Sequence, residues 1–469
     1  MRRHFATVNL SLLLTALIVA VGGAAPAATA LPPTIVVDVL VVGGSPGGVA
    51  AAIGAARGGA TVVLAEDDQQ LGGVITSAWL TTFDMNMSPD GQHLTRGVFL
   101  EAYRQLGVSF DPDEAARVFG RAVVHEPGIR TMLDSSLVRL ILEGDRVAGA
   151  EFYDRRWRRL TEVRARQVID ATDDGDVAAA AGAPWVLGRA GYRANERLLQ
   201  AATLIFRVGA VDWQTVSADV ARQADAAGLH AWGVNGRAAW GYAAEAARYE
   251  PADPSVLLYP LNLARQRDGS VLVNALNITG TNGLDPASIA AAMSKATAEM
   301  PRVVAFLRRT IPGFERAHLL DHAPSLYVRE TRHVAGLYTL GVEDILAQQV
   351  FEDRIAVASY PIDIHAYYAG WTNPYRPEAR VYTIPFRAIV PRAVDNLLLA
   401  TRAFSATSEA HGSARVVPTI MALGQAAGVT AAFCARRGCA PRDVADDWAL
   451  LHAVQGALIG QGAYLGGRP

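Results

Sequence analysis

Asp363 and His365 stand two residues apart in Tyr360-Pro361-Ile362-Asp363-Ile364-His365, so an extended chain turns both side chains to one face. A carboxylate beside an imidazole raises the basicity of the ring, and such a ring can take a proton from a substrate hydroxyl or amine. The same pairing also serves as an ordinary structural hydrogen bond. Arg329-Glu330-Thr331-Arg332 carries two guanidiniums three residues apart, and Arg332 is a candidate for binding an anion. Arg415 closes a polar run that includes Glu409 and His411. It is the candidate for stabilising negative charge on a reduced cofactor or on a substrate.

A second cluster is made of glycine. Residues 35–42 are apolar except for Asp38 and mostly β-branched, which suits a strand buried on both faces. Gly43-Gly44-Ser45-Pro46-Gly47-Gly48 follows, then an Ala-rich helical stretch to Arg57, a Gly58-Gly59 stop, a second strand at 61–64 and Glu66. The whole reads as one βαβ unit that binds a dinucleotide. Gly43 allows the tight turn and Gly48 the close packing of helix on strand. The helix start offers amides and a dipole to a pyrophosphate, and Glu66 is placed to accept a ribose hydroxyl. Ser45 takes the place of the usual middle glycine. Leu71-Gly72-Gly73, just beyond, favours FAD over NAD, because two glycines let the chain run close to the pyrophosphate and ribityl chain.

The remaining segments are read as closing the same site. Val168-Ile169-Asp170-Ala171-Thr172 is a short buried strand running into Asp173-Asp174-Gly175-Asp176, and Thr172 and Asp176 are candidate cofactor contacts. Residues 148–165 predict an Arg-rich surface hairpin. Helices are predicted around 216–227 and 286–309, and strands near 203–208, 270–277 and 396–400. Trp213, Trp232 and Trp240 are read as core. A long helix opens at Pro418, and Gly424 and Gln425 are taken as cofactor-side residues of it. The glycines at 460–466 have the wrong spacing for a second nucleotide turn and are read as a tail. The fold class is therefore α/β, opening on a Rossmann-like FAD-binding unit, with a signal peptide at 1–30, a middle region read as the substrate side and a C-terminal tail at 446–469.

Arg2-Arg3, an apolar run from Leu10 to Val21 and Ala28-Thr29-Ala30 have the layout of a cleaved export signal, and the paired arginines also suit a twin-arginine route. The apolar run is short for a membrane span, although an uncleaved anchor is the competing reading. The 469 residues carry 43 Lys+Arg against 45 Asp+Glu, a net charge of −2, which argues against nucleic acid as a partner. Cys434 and Cys439 are too few for a disulfide scaffold or a four-cysteine metal site, but near enough in sequence to bridge.

Together these segments resemble the bacterial FAD-dependent oxidoreductase family. Its motifs are matched by 38–76, 169–187, 326–366 and 382–434, and most specifically by the run from Asn396 to Gly428. The resemblance implies a glutathione-reductase-like fold of class α/β, a Rossmann-like FAD-binding domain with an inserted α+β substrate domain, its FAD-binding parts at 31–190 and 381–445 and its substrate domain at 191–380. It does not imply a substrate. Three positions depart from the family pattern. Ser45 replaces a glycine, Asp173 stands where the turn expects glycine, and the chain after His125-Glu126-Pro127 leaves little length for a further strand before the hairpin at 144–152. The expected function is an exported FAD-dependent oxidoreductase that moves a hydride between a small organic substrate and flavin. His365 is the base, Asp363 its partner, and Arg415 and Arg332 the cations; no metal is expected. No NAD(P)H unit is visible, so the electron acceptor is oxygen, a quinone or a small redox protein. No stable membrane insertion is expected once the signal is removed. A flavin-binding electron-transfer or sensor protein is the alternative; the large middle region, which a carrier does not need, argues against it.

Overall fold

The structure, a computed structural model, describes residues 32–189, 198–227 and 232–466. The export signal read at 1–30 lies outside them. The apolar run at 35–42 forms the strand Thr34–Val42, whose last four residues are fully buried. The helix Pro46–Arg57 follows, and Val62–Ala65 returns parallel to the first strand, with Val39 opposite Val62 and Val42 opposite Ala65. Around this unit one sheet runs in the order Ile129–Met132, Val62–Ala65, Thr34–Val42, Arg159–Asp170, Arg146–Asp154, Ser135–Glu143.

Arg159–Asp170 is the hinge of this sheet. One edge pairs along Thr34–Val42 in parallel. The other edge pairs first with Arg146–Asp154, antiparallel, and at its end with Leu397–Leu399, parallel. Residues 168–170 are thus the buried end of a long strand rather than a short strand of their own. The segment after Pro127 holds two strands, Ile129–Met132 and Ser135–Glu143. Only Leu133 and Asp134 link them, Asp134 at a left-handed φ of 56, and the two strands lie at opposite ends of the sheet order.

The helix Val417–Arg437 lies directly against Pro46–Arg57. A Cβ on Gly424 would sit 2.1 Å from the carbonyl oxygen of Gly47, and one on Gly428 would sit 2.0 Å from that of Ala51. The two backbones touch, and any side chain at these positions would separate them. By length and composition Val417–Arg437 could cross a membrane, but it is a core helix, buried along nearly its whole length.

A second, antiparallel sheet has the order Gly233–Asn235, Ala238–Gly241, Val256–Arg265, Val271–Ile278, Phe206–Gly209, His318–His322, and Ala202–Thr203 extends it beside Val271–Ile278. The helix Pro286–Thr310 packs on it, started by Asp285, whose side chain accepts the amide of Ala287 at 2.9 Å. Trp213 is buried, whereas Trp232 and Trp240 are half-buried, Trp232 edge-on to Tyr242. Residues 448–460, read as tail, form a helix that buries Leu451, Val454 and Leu458. Cys434 and Cys439 are both free thiols.

Candidate active site

Where Thr34–Val42 ends, Gly43 turns at φ 103, a conformation that favours glycine. A Cβ on Gly48 would lie 1.9 Å from the Gly43 carbonyl oxygen, so glycine is what lets the helix begin against the strand. Gly47 packs on the carbonyl of Ala400, Gly44 on Glu66 and Leu71, and the Gly72 amide donates to Gly44 O at 2.8 Å. Ser45 has a local reason to replace glycine. Its hydroxyl accepts the Gly48 amide at 3.3 Å, capping the helix, and donates to Ala171 O at 2.9 Å.

A cleft of about 530 Å³ opens there, lined among others by Gly43, Ser45, Glu66, Gly73, Thr172 and Asp176. Glu66 accepts the Asp68 amide at 2.7 Å and also the Gly44 amide. Burial pushes its carboxyl up to about 7, against the pull of those two bonds. Asp170, at the strand end, accepts Thr172 N at 3.0 Å, Thr172 Oγ1 at 2.6 Å and Ala178 N at 2.8 Å, which shapes the turn at 171–178. Its burial also raises its carboxyl to about 7. Asp173, the residue in place of glycine, turns towards Arg402 at 3.2 Å.

A second cavity continues from this cleft past Ser45 and Pro46. Arg329, Arg402 and Arg415 line it, and so do Val417 and Ile420 from the first turn of Val417–Arg437. The Nε atoms of these three arginines are buried without a partner, and Val416 caps the helix with no side-chain hydrogen bond. Donors and positive charge therefore gather at one rim, with the helix dipole added.

Leu80, Tyr327, Arg329 and Arg415 also line a third cavity, which holds Asp363 and His365. In the segment 359–365 Ile362 and Ile364 are buried, while Tyr360, Asp363 and His365 line the cavity. His365 Nε2 lies 3.3 Å from Asp363 Oδ2, and Nδ1 lies 3.2 Å from Asn277 Oδ1. The Tyr259 ring stacks on the imidazole, with centroids 4.9 Å apart at 15°. Arg415, which follows the helix Ser408–Ala414, donates to Tyr327 Oη at 2.7 Å and to Asp363 Oδ2 at 3.2 Å. Trp79, on the same wall, takes φ 58, strained for an aromatic residue.

The pairing of Asp363 with His365 does not raise the ring's basicity overall. Burial and the Arg329 charge push the imidazole down to about 4, outweighing the lift from Asp363. Burial works to raise Asp363 itself, but His365 and Arg415 hold it well below the usual carboxylate range. Asp84, hydrogen-bonded by Tyr360 Oη at 3.1 Å, is pushed up to about 6, chiefly by burial.

Three candidates stand elsewhere. Arg332 donates to Asp176 Oδ1 at 2.6 Å and to Asp174 O at 2.9 Å, and lies over Trp185. It holds the acidic turn and lines neither the second nor the third cavity; Arg329 takes that place. Gly424 faces Gly47. Gln425 accepts the Val98 amide at 3.1 Å and donates to Gln461 O at 3.2 Å, so both residues tie Val417–Arg437 to its neighbours. Sequence reading missed Asn277, Tyr259, Asp84 and Arg329. Only Arg329 carried a signal, its three-residue spacing from Arg332.

A glycine turn at a parallel strand, an acid after the second strand, and a cation-rimmed cavity under a helix N-terminus define a dinucleotide-binding flavoenzyme. The chain belongs to the FAD dependent oxidoreductase family, which matches it over residues 38–458. It is an FAD-dependent oxidoreductase, and FAD is its cofactor. The residues present fit that group: Glu66 and the Gly43–Gly48 turn suit its nucleotide end, and the buried cations Arg402 and Arg415 beside the helix start suit its acceptor-rich ring edge. Among solved structures, a geranylgeranyl bacteriochlorophyll reductase-like protein from Thermoplasma acidophilum is similar (TM-score 0.43, 13% identity, 92% of this chain and 85% of that one). So is the flavin-dependent brominase Bmp2 (0.44, 12%, 91% and 84%). The flavin-dependent monooxygenase PieE, solved with FAD and substrate, matches less of the chain (0.35, 16%, 66% and 52%). No curated protein matches the sequence.

Proposed function

We propose that this chain is an exported flavoenzyme that transfers a hydride between a small organic substrate and flavin, with His365 as the proton acceptor. The observation that carries the reading is the sharing of Leu80, Tyr327, Arg329 and Arg415 between the cavity beside Pro46 and the cavity of His365. Bound FAD supplies the acceptor for a hydride. The rest is done by side chains. His365 is neutral at neutral pH and can take the hydroxyl or amine proton of a substrate, and Asp363 stabilises the imidazolium that results. Arg415 neutralises negative charge that develops next to it.

In this reading 31–190 and 381–445 hold the cofactor and 191–380 holds the substrate. Electrons leave to oxygen, a quinone or a small redox protein. Export follows from the Arg2-Arg3 leader and its Ala28-Thr29-Ala30 end. The test is anaerobic bleaching of the flavin in purified mature protein by a panel of sugars, amines and hydroxy acids. A protein that takes up FAD yet is bleached by no member would count against substrate chemistry of its own.

A further inference from the structure

Arg329 is 2% exposed. One guanidinium nitrogen, Nη1, donates to Ala201 O at 2.8 Å and to Thr203 Oγ1 at 2.7 Å, and the group lies 4.4 Å above the Tyr327 ring. Its Nε has no partner. Among the described residues no carboxylate lies within 4.0 Å of it. The arginines beside it differ: Arg402 pairs with Asp173 and Asp174, and Arg415 with Asp363. A guanidinium keeps its charge at neutral pH, and burying it without a counter-ion is costly. A fold that keeps such a group on a cavity wall leaves room for an anion to complete it.

We propose that Arg329 binds the carboxylate of a small organic acid in the His365 cavity, so that the substrate is an acid oxidised or reduced next to its carboxylate. The proposal rests on the flavoenzyme reading above. The acids already in the cavity do not serve Arg329: Asp363 is shared by Arg415 and His365, and Asp84 is held by Tyr360. The planar fork of arginine suits two carboxylate oxygens. A bound carboxylate would also neutralise the charge that depresses His365, strengthening the base as the substrate arrives.

The test uses the full-length, FAD-loaded protein. Acetate, pyruvate and oxalate are titrated against acetamide and glycerol, with binding read from the flavin absorbance and from the shift in melting temperature. Carboxylates should bind about 10²-fold more tightly than their neutral counterparts, the scale of a charge-assisted hydrogen-bond pair. Arg329→Gln should keep FAD and lose that preference, and Arg329→Lys should restore part of it. Equal or tighter binding of the neutral compounds, no response to any carboxylate, or an unchanged preference in Arg329→Gln overturns the proposal. The acid–amide comparison needs no variant, so a variant that fails to fold leaves the test intact. A protein that holds no FAD fails the parent reading before any titration begins.

Discussion

Nδ1 of His365 lies 3.2 Å from Oδ1 of Asn277. The amide is oriented by its other bonds, since Thr203 Oγ1 donates to the same oxygen at 2.9 Å and Nδ2 donates to Ala275 O at 3.0 Å. The ring therefore stands between two acceptors, Asn277 on one side and Asp363 on the other. A neutral imidazole has one N–H to give. With that hydrogen on Nδ1, Nε2 carries the lone pair, and a proton taken there meets the Asp363 carboxylate.

His365→Ala should keep FAD and slow flavin reduction by ~10²–10⁴-fold, the range of general base catalysis. Asp363→Asn and Asn277→Ala should each cost less. Wild-type reduction should fall as pH drops through about 4, and Asn277→Asp, by adding a second carboxylate, should move that limb upward. Stopped-flow reduction of the flavin-loaded fraction against pH measures all four. An unchanged rate per bound flavin in His365→Ala would remove the residue from the mechanism and leave it a packing role.

Arg332 and Arg415 should behave differently. Arg332→Ala breaks the contacts to Asp176 and Trp185, worth about 1 kcal/mol, and should lower the melting temperature while the flavin spectrum stays as it was. Arg415→Ala removes a buried cation from the cavity wall and should shift the flavin absorbance or its potential. Spectra and melting curves of the two purified variants decide this.

Gly424→Val should release FAD, because its side chain would drive the helix away from Gly47. Gly48→Val should do the same through Gly43 O. Gln425→Ala leaves that contact in place and should retain the cofactor, with a modest loss of stability from the freed Val98 amide. FAD-to-protein ratios after gel filtration distinguish these outcomes.

Asp170 has its carboxyl raised from 3.8 to about 7 in the fold. Between those values the folded state binds the extra proton, so this contribution to stability is present at low pH and is lost as pH rises towards 7. Glu66 and Asp84 act in the same sense, and His365, lowered from 6.5 to about 4, acts in the opposite one. Asp170→Asn should therefore melt with a weaker pH dependence between about 4 and 7 than the wild type. An identical pH slope in both proteins would remove Asp170 from the balance.

The sequence made the nucleotide turn legible because its parts are local: an apolar run, glycines where only glycine fits, and an acid one strand later. Asp363 and His365 were legible for the same reason, since a two-residue period fixes their common face in extended chain. The choice between Arg329 and Arg332 was not. A three-residue spacing in extended chain sends the side chains to opposite sides, and nothing nearby says which side is the cavity. Gly424 and Gln425 lie two turns into their helix, where the structure shows them packed on neighbouring segments, and the sequence pattern does not say which neighbour each meets. Asn277 comes from a strand 88 residues before His365, a meeting that no local pattern announces.

Arg159–Asp170 cannot complete its parallel edge until Leu397–Leu399 arrives, and the wall beside Pro46 waits longer still, for Val417–Arg437. Residues 171–396 must all be synthesised in between. Cofactor capture is therefore among the last events in the making of this protein, since a nascent chain shorter than about residue 437 offers flavin half a socket. The yellow colour would mark chains that have been finished and closed, and a cell that exports the loaded protein would have to move it already folded.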